Sequence, residues 1–262
     1  VPNLVDTHCH INFEEDFPNP SEVVRQAVNA GVTRVIAVGC DTVTSQKAVE
    51  LSDQFPEVFA VVGWHPNYSA RYDLSELKEV ERMLAHPKAV ALGEIGLDYH
   101  WNFASKAEQE WCLTDQLELA LALNVPVVVH CREAYDRLLE VLRGYEGLRL
   151  DFHCFSGEER HLDEIRDRGW YIGLDGPLTY PKNEELRRLV AGFPRDRVLV
   201  ETDSPYLSPK SVRGRPNRPA YVVETTQRLA EVWQVSFDEA ARITSENAER
   251  FFGLPAQEGA CG

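Results

Sequence analysis

The chain has 262 residues, 44% of them hydrophobic and 26% charged, with a formal charge of −15 at neutral pH. That length can bury a large core, no apolar run approaches the ~20 residues of a membrane span, and no basic-then-apolar signal pattern opens the sequence. So strong a negative charge excludes a broad basic face for polyanions, and any contact with nucleic acid must be local.

Short β-branched or apolar runs alternate with amphipathic stretches along the chain. Strands are expected at 4–11, 34–40, 58–65, 89–97, 125–131, 149–155, 170–175 and 197–203. Helices are expected near 21–30, 43–54, 75–85, 105–123, 133–144, 158–168 and 184–192, with two more near 219–233 and 237–250. Ser105-x-x-Glu108, Ser156-x-x-Glu159 and Ser236-x-x-Glu239 read as capping boxes, and Gly31 and Gly169 fit helix ends. Eight strands alternating with helices predict an α/β fold, a (β/α)8 TIM barrel with an extra C-terminal helix. A doubly wound open sheet is the alternative, because periodicity does not reveal closure. No linker or composition shift divides the chain, so 1–262 is read as a single barrel domain, with 205–219 a Pro-rich loop after the last strand.

Polar residues fall at one end of that frame. His8 and His10 end the first strand, and their spacing puts both side chains on one face. His65 ends the third strand, Glu94 lies late in the fourth, His130 ends the fifth, His153 the sixth and Asp203 the eighth. In parallel α/β folds these strand ends converge on one mouth, where active sites sit. A lone histidine there is more simply a satisfied loop residue; five histidines and two carboxylates at one face point to a metal centre. Four imidazoles (His8, His10, His130 and His153) with Glu94 and Asp203 are too many ligands for one tetrahedral ion. They suit two divalent ions ~3.5–4 Å apart, bridged by Glu94 and activating a water. His8, His10 and Asp203 would complete one ion, and His130 and His153 the other. Nitrogen and oxygen ligands leave Mg, Mn, Zn, Fe or Co open.

Six cysteines stand at 9, 40, 112, 131, 154 and 261, without a Cys-x-x-Cys, and read as reduced thiols of a cytoplasmic protein. Cys9, Cys131 and Cys154 adjoin the ligand histidines. Strand alternation is expected to point them towards the helix layer, as small hydrophobes rather than ligands.

Six segments carry a family resemblance: Asp6-Thr7-His8-Cys9-His10, Gly63-Trp64-His65-Pro66, Gly93-Glu94-Ile95-Gly96-Leu97-Asp98-Tyr99, Val129-His130-Cys131-Arg132-Glu133-Ala134, His153-Cys154-Phe155-Ser156-Gly157 and Glu201-Thr202-Asp203-Ser204-Pro205-Tyr206-Leu207. In this order and spacing, nearly end to end, the chain resembles the TatD family of metal-dependent deoxyribonucleases, within the amidohydrolase-like barrels. The resemblance implies a (β/α)8 barrel, a two-metal centre held by His8, His10, Glu94, His130, His153 and Asp203, and hydrolysis of DNA phosphodiesters. One departure is Pro216-Asn217-Arg218-Pro219, where family members often carry Arg-Asn-Glu-Pro.

On this reading Asp203 and Glu94 are catalytic as well as ligating, and His65, surplus to the ligand set, touches the phosphate or protonates the leaving oxygen. Glu201 lies deeper on the same face and orients a ligand. Arg132, Ser156, Arg215 and Arg218 are the candidate substrate contacts, with Lys210 and Arg213 in the same basic loop; Arg132 could instead pair with Glu133. The negative net charge favours local capture of a single-stranded end or short segment and exonuclease action over processive duplex cutting. With the family resemblance, the expected activity is that of a 3'-5' exonuclease on single-stranded DNA. The rival readings are a small-molecule amidohydrolase (lactone, cyclic amide or phosphotriester), a D-aminoacyl-tRNA deacylase and a non-catalytic metal-binding protein. The fourth strand offers Glu94 and no inward lysine to carry a carbamate, which weakens the first. No membrane contact and no obligate protein partner are expected.

Overall fold

The computed structural model describes residues 3–255; Cys261 lies outside them. Eight parallel strands follow the order of the sequence around one sheet: β1 (Leu4–Cys9), β2 (Val32–Val38), β3 (Val58–Val62), β4 (Ala89–Asp98), β5 (Val127–Arg132), β6 (Leu150–Phe152), β7 (Tyr171–Leu174) and β8 (Val198–Val200). The first seven are followed in turn by α1 (Pro20–Asn29), α2 (Thr42–Gln54), α3 (Leu74–Leu84), α4 (Lys106–Leu123), α5 (Tyr135–Leu142), α6 (Glu159–Asp167) and α7 (Glu184–Gly192). A long loop leads from β8 to α8 (Val222–Trp233), and α9 (Phe237–Phe252) is the additional helix. No helix among the described residues is long and apolar enough to cross a membrane.

The seam between β8 and β1 decides between a barrel and an open sheet. The Asp203 amide donates to the His8 carbonyl at 2.9 Å, the His10 amide to the Ser204 carbonyl at 2.8 Å, and the Thr7 hydroxyl to the Val200 carbonyl at 3.0 Å. Asp6 reaches across as well, its carboxylate accepting the Thr202 amide at 2.9 Å and the Thr202 hydroxyl at 2.7 Å. Side chains therefore complete a ladder that the three regular residues of β8 are too few to make, and the barrel closes.

Alternation within the strands sorts the core into two layers. Ile36, Val38, Phe59 and Val61 face into the barrel with Val5, Ala91, Val128 and Leu199, while Val35, Ala37, Val58 and Ala60 face the helices. Phe251 and Phe252, at the end of α9, and Leu254 just past it join the inner group and seal its floor.

Several strands stop short of their expected ends because the chain turns at the mouth. β3 ends at Val62, β6 at Phe152 and β8 at Val200, so His65, His153 and Asp203 lie just past regular structure. Glu133, Cys154 and Asp203 adopt left-handed backbone with φ of 55°, 48° and 53°. Such conformations are uncommon outside glycine and collect at sites where geometry is imposed from around them.

The Ser105 box forms with Glu108, and Ser236 accepts the Glu239 amide. Gly31 and Gly169 follow α1 and α6 with φ of 88° and 69°, as helix ends favour. The Ser156 box does not form. The Ser156 amide donates to the Tyr135 hydroxyl at 3.0 Å and the Phe155 amide to the Gly173 carbonyl at 3.0 Å. That holds the segment away from helical geometry, and α6 starts later, with Glu158 as its N-cap and His161 closing the reciprocal bond.

Candidate metal centre

The five histidines and two carboxylates meet at the carboxyl end of the barrel, around Glu94. Glu94 Oε1 lies 2.6 Å from His153 Nε2, 2.7 Å from His130 Nδ1 and 3.6 Å from His65 Nε2. Its Oε2 lies 3.4 Å from His8 Nε2 and 4.0 Å from His10 Nε2. Asp203 Oδ1 stands 3.4 Å from His10 Nε2 and 3.8 Å from His8 Nε2. Local sequence makes this convergence possible. A Cβ at Gly96 would lie 1.8 Å from the His130 carbonyl oxygen, so glycine lets β4 and β5 approach. A Cβ at Gly173 would lie 2.4 Å from a Glu201 carboxylate oxygen, so the glycine in β7 leaves room for Glu201.

Hydrogen-bond partners fix what each ring can offer. His10 Nδ1 lies 2.9 Å from the Val38 carbonyl, which can only accept, so Nδ1 donates and Nε2 turns its lone pair to Glu94 and Asp203. His130 Nε2 donates to Asp98 Oδ2 at 3.1 Å, leaving Nδ1 to face Glu94. His153 Nδ1 faces Glu201 Oε1 at 3.6 Å and its Nε2 faces Glu94. His8 is fully buried, with neither ring nitrogen hydrogen-bonded. His65 differs. Its Nδ1 accepts the Asn67 amide at 3.0 Å, so in the neutral ring Nε2 carries the proton and has no lone pair to give a metal.

Lone pairs that face carboxylates across a buried space call for positive charge between them. The ionisation balance agrees. Burial alone would raise Glu94, but His153, His65, His8 and the His130 hydrogen bond hold it well below the usual carboxylate range. Burial opposes charging of His130 and His153, yet Asp98 and Glu94 push the first upward and Glu94 the second. His65 goes the other way, down to about 3, through burial and then through His130 beside it. Divalent cations fit this donor set: orphaned imidazole nitrogens, two carboxylates and a support behind three of the rings. Ligand atoms lie close enough to share an ion in three overlapping sets: His8, His10 and Glu94; His65, Glu94 and His130; His8, His153 and Glu201. The second set is reduced by the tautomer of His65. His153 Nε2 lies beside the same pair, 3.3 Å from His130 Nδ1 and 2.6 Å from Glu94 Oε1.

Asp98 was not singled out by sequence reasoning. Burial works against its ionisation, but the hydrogen bond to His130 holds it at about 2, and its Oδ1 accepts the His100 and Trp101 amides at 3.0 and 3.2 Å. A signal was available: Glu94, Gly96 and Asp98 occupy alternate positions and share one strand face. Two buried glutamines of α4 were also missed. Gln109 clamps the Asp98 backbone from both sides, at 2.8 and 2.9 Å, and Gln116 does the same for Trp64 at 2.8 and 3.0 Å.

The cluster floors a cavity of about 900 Å³ bordered by Tyr68, Trp101, Phe103, Arg132 and Tyr206. A second cavity of about 580 Å³ continues past His153 along Ser156, Tyr180 and Lys182. Arg132 and Ser156 therefore lie at the mouth. Arg132 does not pair with Glu133, which takes His100 Nδ1 at 2.7 Å instead. Arg215 and Arg218 line neither cavity. Buried Asn217, donating to the Thr202 carbonyl at 2.7 Å, draws the loop back, and Arg218 Nη1 turns to Gln26 of α1 at 2.7 Å. Cys9 and Cys131 face the outer layer as expected. Cys154 does not, because its left-handed backbone redirects Sγ into the second cavity, where it donates to Asp175 Oδ2 at 3.1 Å.

A closed (β/α)8 barrel with a buried histidine–carboxylate cluster at its mouth is the architecture of a metal-dependent hydrolase. The family model described as TatD related DNase matches residues 5–253, and the chain belongs to the TatD family. It is 35% identical over 253 residues to the Uncharacterized metal-dependent hydrolase YabD of Bacillus subtilis, covering 96% of this chain and 99% of that protein. It is 34% identical over 262 residues to the 3'-5' ssDNA/RNA exonuclease TatD of Citrobacter rodentium, covering 96% and 98%. Among solved structures, YJJV, a TatD homologue from Escherichia coli K12, superposes with a TM-score of 0.91 at 29% identity, covering 96% of this chain and 98% of that one.

Proposed function

We propose that this metal-dependent hydrolase is an exonuclease that removes nucleotides from the 3' end of single-stranded DNA. The observation that carries the reading is the ring of imidazoles around Glu94, open to a cavity that also presents Arg132. The relatives named 3'-5' ssDNA/RNA exonuclease support the same substrate class.

His8, His10 and Asp203 would hold one divalent ion and His130 and His153 a second, with Glu94 between them. Such ions, when bound, polarise the phosphoryl oxygens, acidify water and offset charge that builds in an in-line displacement. The protein supplies the rest. Burial alone would raise Asp203, but the His10 hydrogen bond and the charges of His153, His10 and His8 together hold it below the usual carboxylate range, so it stays ionised and accepts the proton of the attacking water. His65, neutral and protonated at Nε2, donates a hydrogen bond to a phosphoryl or leaving oxygen. Asp98 and the Val38 carbonyl hold His130 and His10 in the ligating tautomer, and Glu201 faces His153 from below. Ser156 and Arg132 border the path of the strand.

The test is digestion of single-stranded DNA, labelled at either end, with Mg, Mn or Zn. The expected result is stepwise loss from the 3' end, stopped by chelation and absent in Asp203→Ala. No cleavage with any of the three ions bound would sink the reading.

A further inference from the structure

Large apolar side chains usually end at a protein surface singly, without consequence; grouped beside a polar site they mark a binding surface. Tyr68, Trp101, Phe103, Tyr206 and Leu207 are all exposed and all border the mouth cavity. Trp101 and Phe103, in the loop between β4 and α4, leave 45% and 64% of their surface open. Their rings stack on each other, centroids 5.7 Å apart and planes 26° from parallel. Trp101 is tied to the histidine cluster through one carboxylate. Asp98 Oδ1 accepts the Trp101 amide, and Asp98 Oδ2 accepts His130 Nε2. Arg132 stands two residues after His130 on the same strand face, its guanidinium 5.6 Å from the centre of the Trp101 ring. Among the described residues no carboxylate pairs with it, its neighbour Glu133 being taken by His100.

We propose that Trp101 and Phe103 form a stacking platform for an unpaired nucleobase, with Arg132 holding the adjoining phosphate beside the histidine cluster. The proposal rests on the phosphodiesterase reading and names how that site chooses its substrate. Every base has a π-face, so a stacking platform accepts any sequence, in DNA or RNA. A base inside a duplex is already stacked on both sides and cannot lie on the platform. The selection of single strands is thereby separate from the metal chemistry. It also suits a protein of charge −15, which gathers substrate through ring contact and one local cation rather than through a basic face.

The experiment compares a thymidine decamer with a decamer of the same sugar–phosphate backbone without bases, using the metal-loaded wild type and a Trp101→Ala/Phe103→Ala double variant. The wild type is expected to degrade the base-bearing decamer with a kcat/KM on the order of 5- to 100-fold higher, most of it in KM, as base–aromatic stacking implies. In the double variant that ratio is expected to fall towards one, and Trp101→Phe to restore most of it. Equal kcat/KM for both decamers in the wild type, or an unchanged ratio in the double variant, overturns the platform and leaves the nuclease reading standing. No cleavage of either decamer by the wild type overturns the nuclease reading and the platform with it.

Discussion

The two ends of the barrel solve opposite problems with the same strands. At the floor, Val5, Ile36, Phe59, Val61, Val128 and Leu199 form an apolar cluster with Phe251 and Phe252 of α9. At the mouth, Glu94, Asp203 and four of the five imidazoles are buried and His130 half-buried, with ring nitrogens of His8 and His153 left unpaired and backbone in left-handed conformations. The floor gains stability from burial; the mouth gives it up to hold lone pairs where a cation can use them. Substitutions at the two ends should therefore fail in different ways.

The largest effect is expected from Glu94→Gln. It removes the charge all five imidazoles face, and activity should drop by about 10³-fold, the equivalent of several kcal/mol of electrostatic stabilisation. Circular dichroism should show the barrel still folded; a variant that unfolds instead would mean the mouth also bears on stability. The complement is Phe251→Ala, which empties a 1% exposed position at the floor. Denaturant unfolding should show a loss of about 3–5 kcal/mol, while kcat of the remaining folded enzyme stays within about twofold of wild type, a difference near ~0.5 kcal/mol. A large kcat loss would break the division between the ends.

Asp98→Asn is a smaller perturbation. It keeps shape but loses the charge behind His130, and metal affinity should weaken by about 10- to 100-fold in equilibrium titration. Arg218→Gln is expected to do least. Its guanidinium is directed to Gln26 rather than to either cavity, so stability should shift by no more than about 0.5 kcal/mol. A steep loss of nuclease activity in this variant would return the loop to the substrate path.

Much of this was legible before the structure. Alternating strands and helices placed His8, His10, Glu94, His130, His153 and Asp203 at one end, because strand ends in a parallel barrel share a mouth. Three kinds of information were not. The direction of the loop after β8 depends on Asn217 reaching a backbone carbonyl, a contact between distant residues that no local pattern announces. The turn of Cys154 depends on a left-handed backbone that strand alternation cannot anticipate. The separation of His65 from the ligands depends on which ring nitrogen meets the Asn67 amide. Periodicity assigns faces, and hydrogen-bond partners assign tautomers; only the first is written in spacing.

We propose that the mouth, built around Glu94, holds two divalent ions. Equilibrium binding of Zn or Mn, counted per chain by elemental analysis, tests it most directly in wild type beside Glu94→Gln. Two ions are expected per wild-type chain, and one or none in the variant. A wild type that holds none, or a variant that binds two as tightly as wild type, would contradict it.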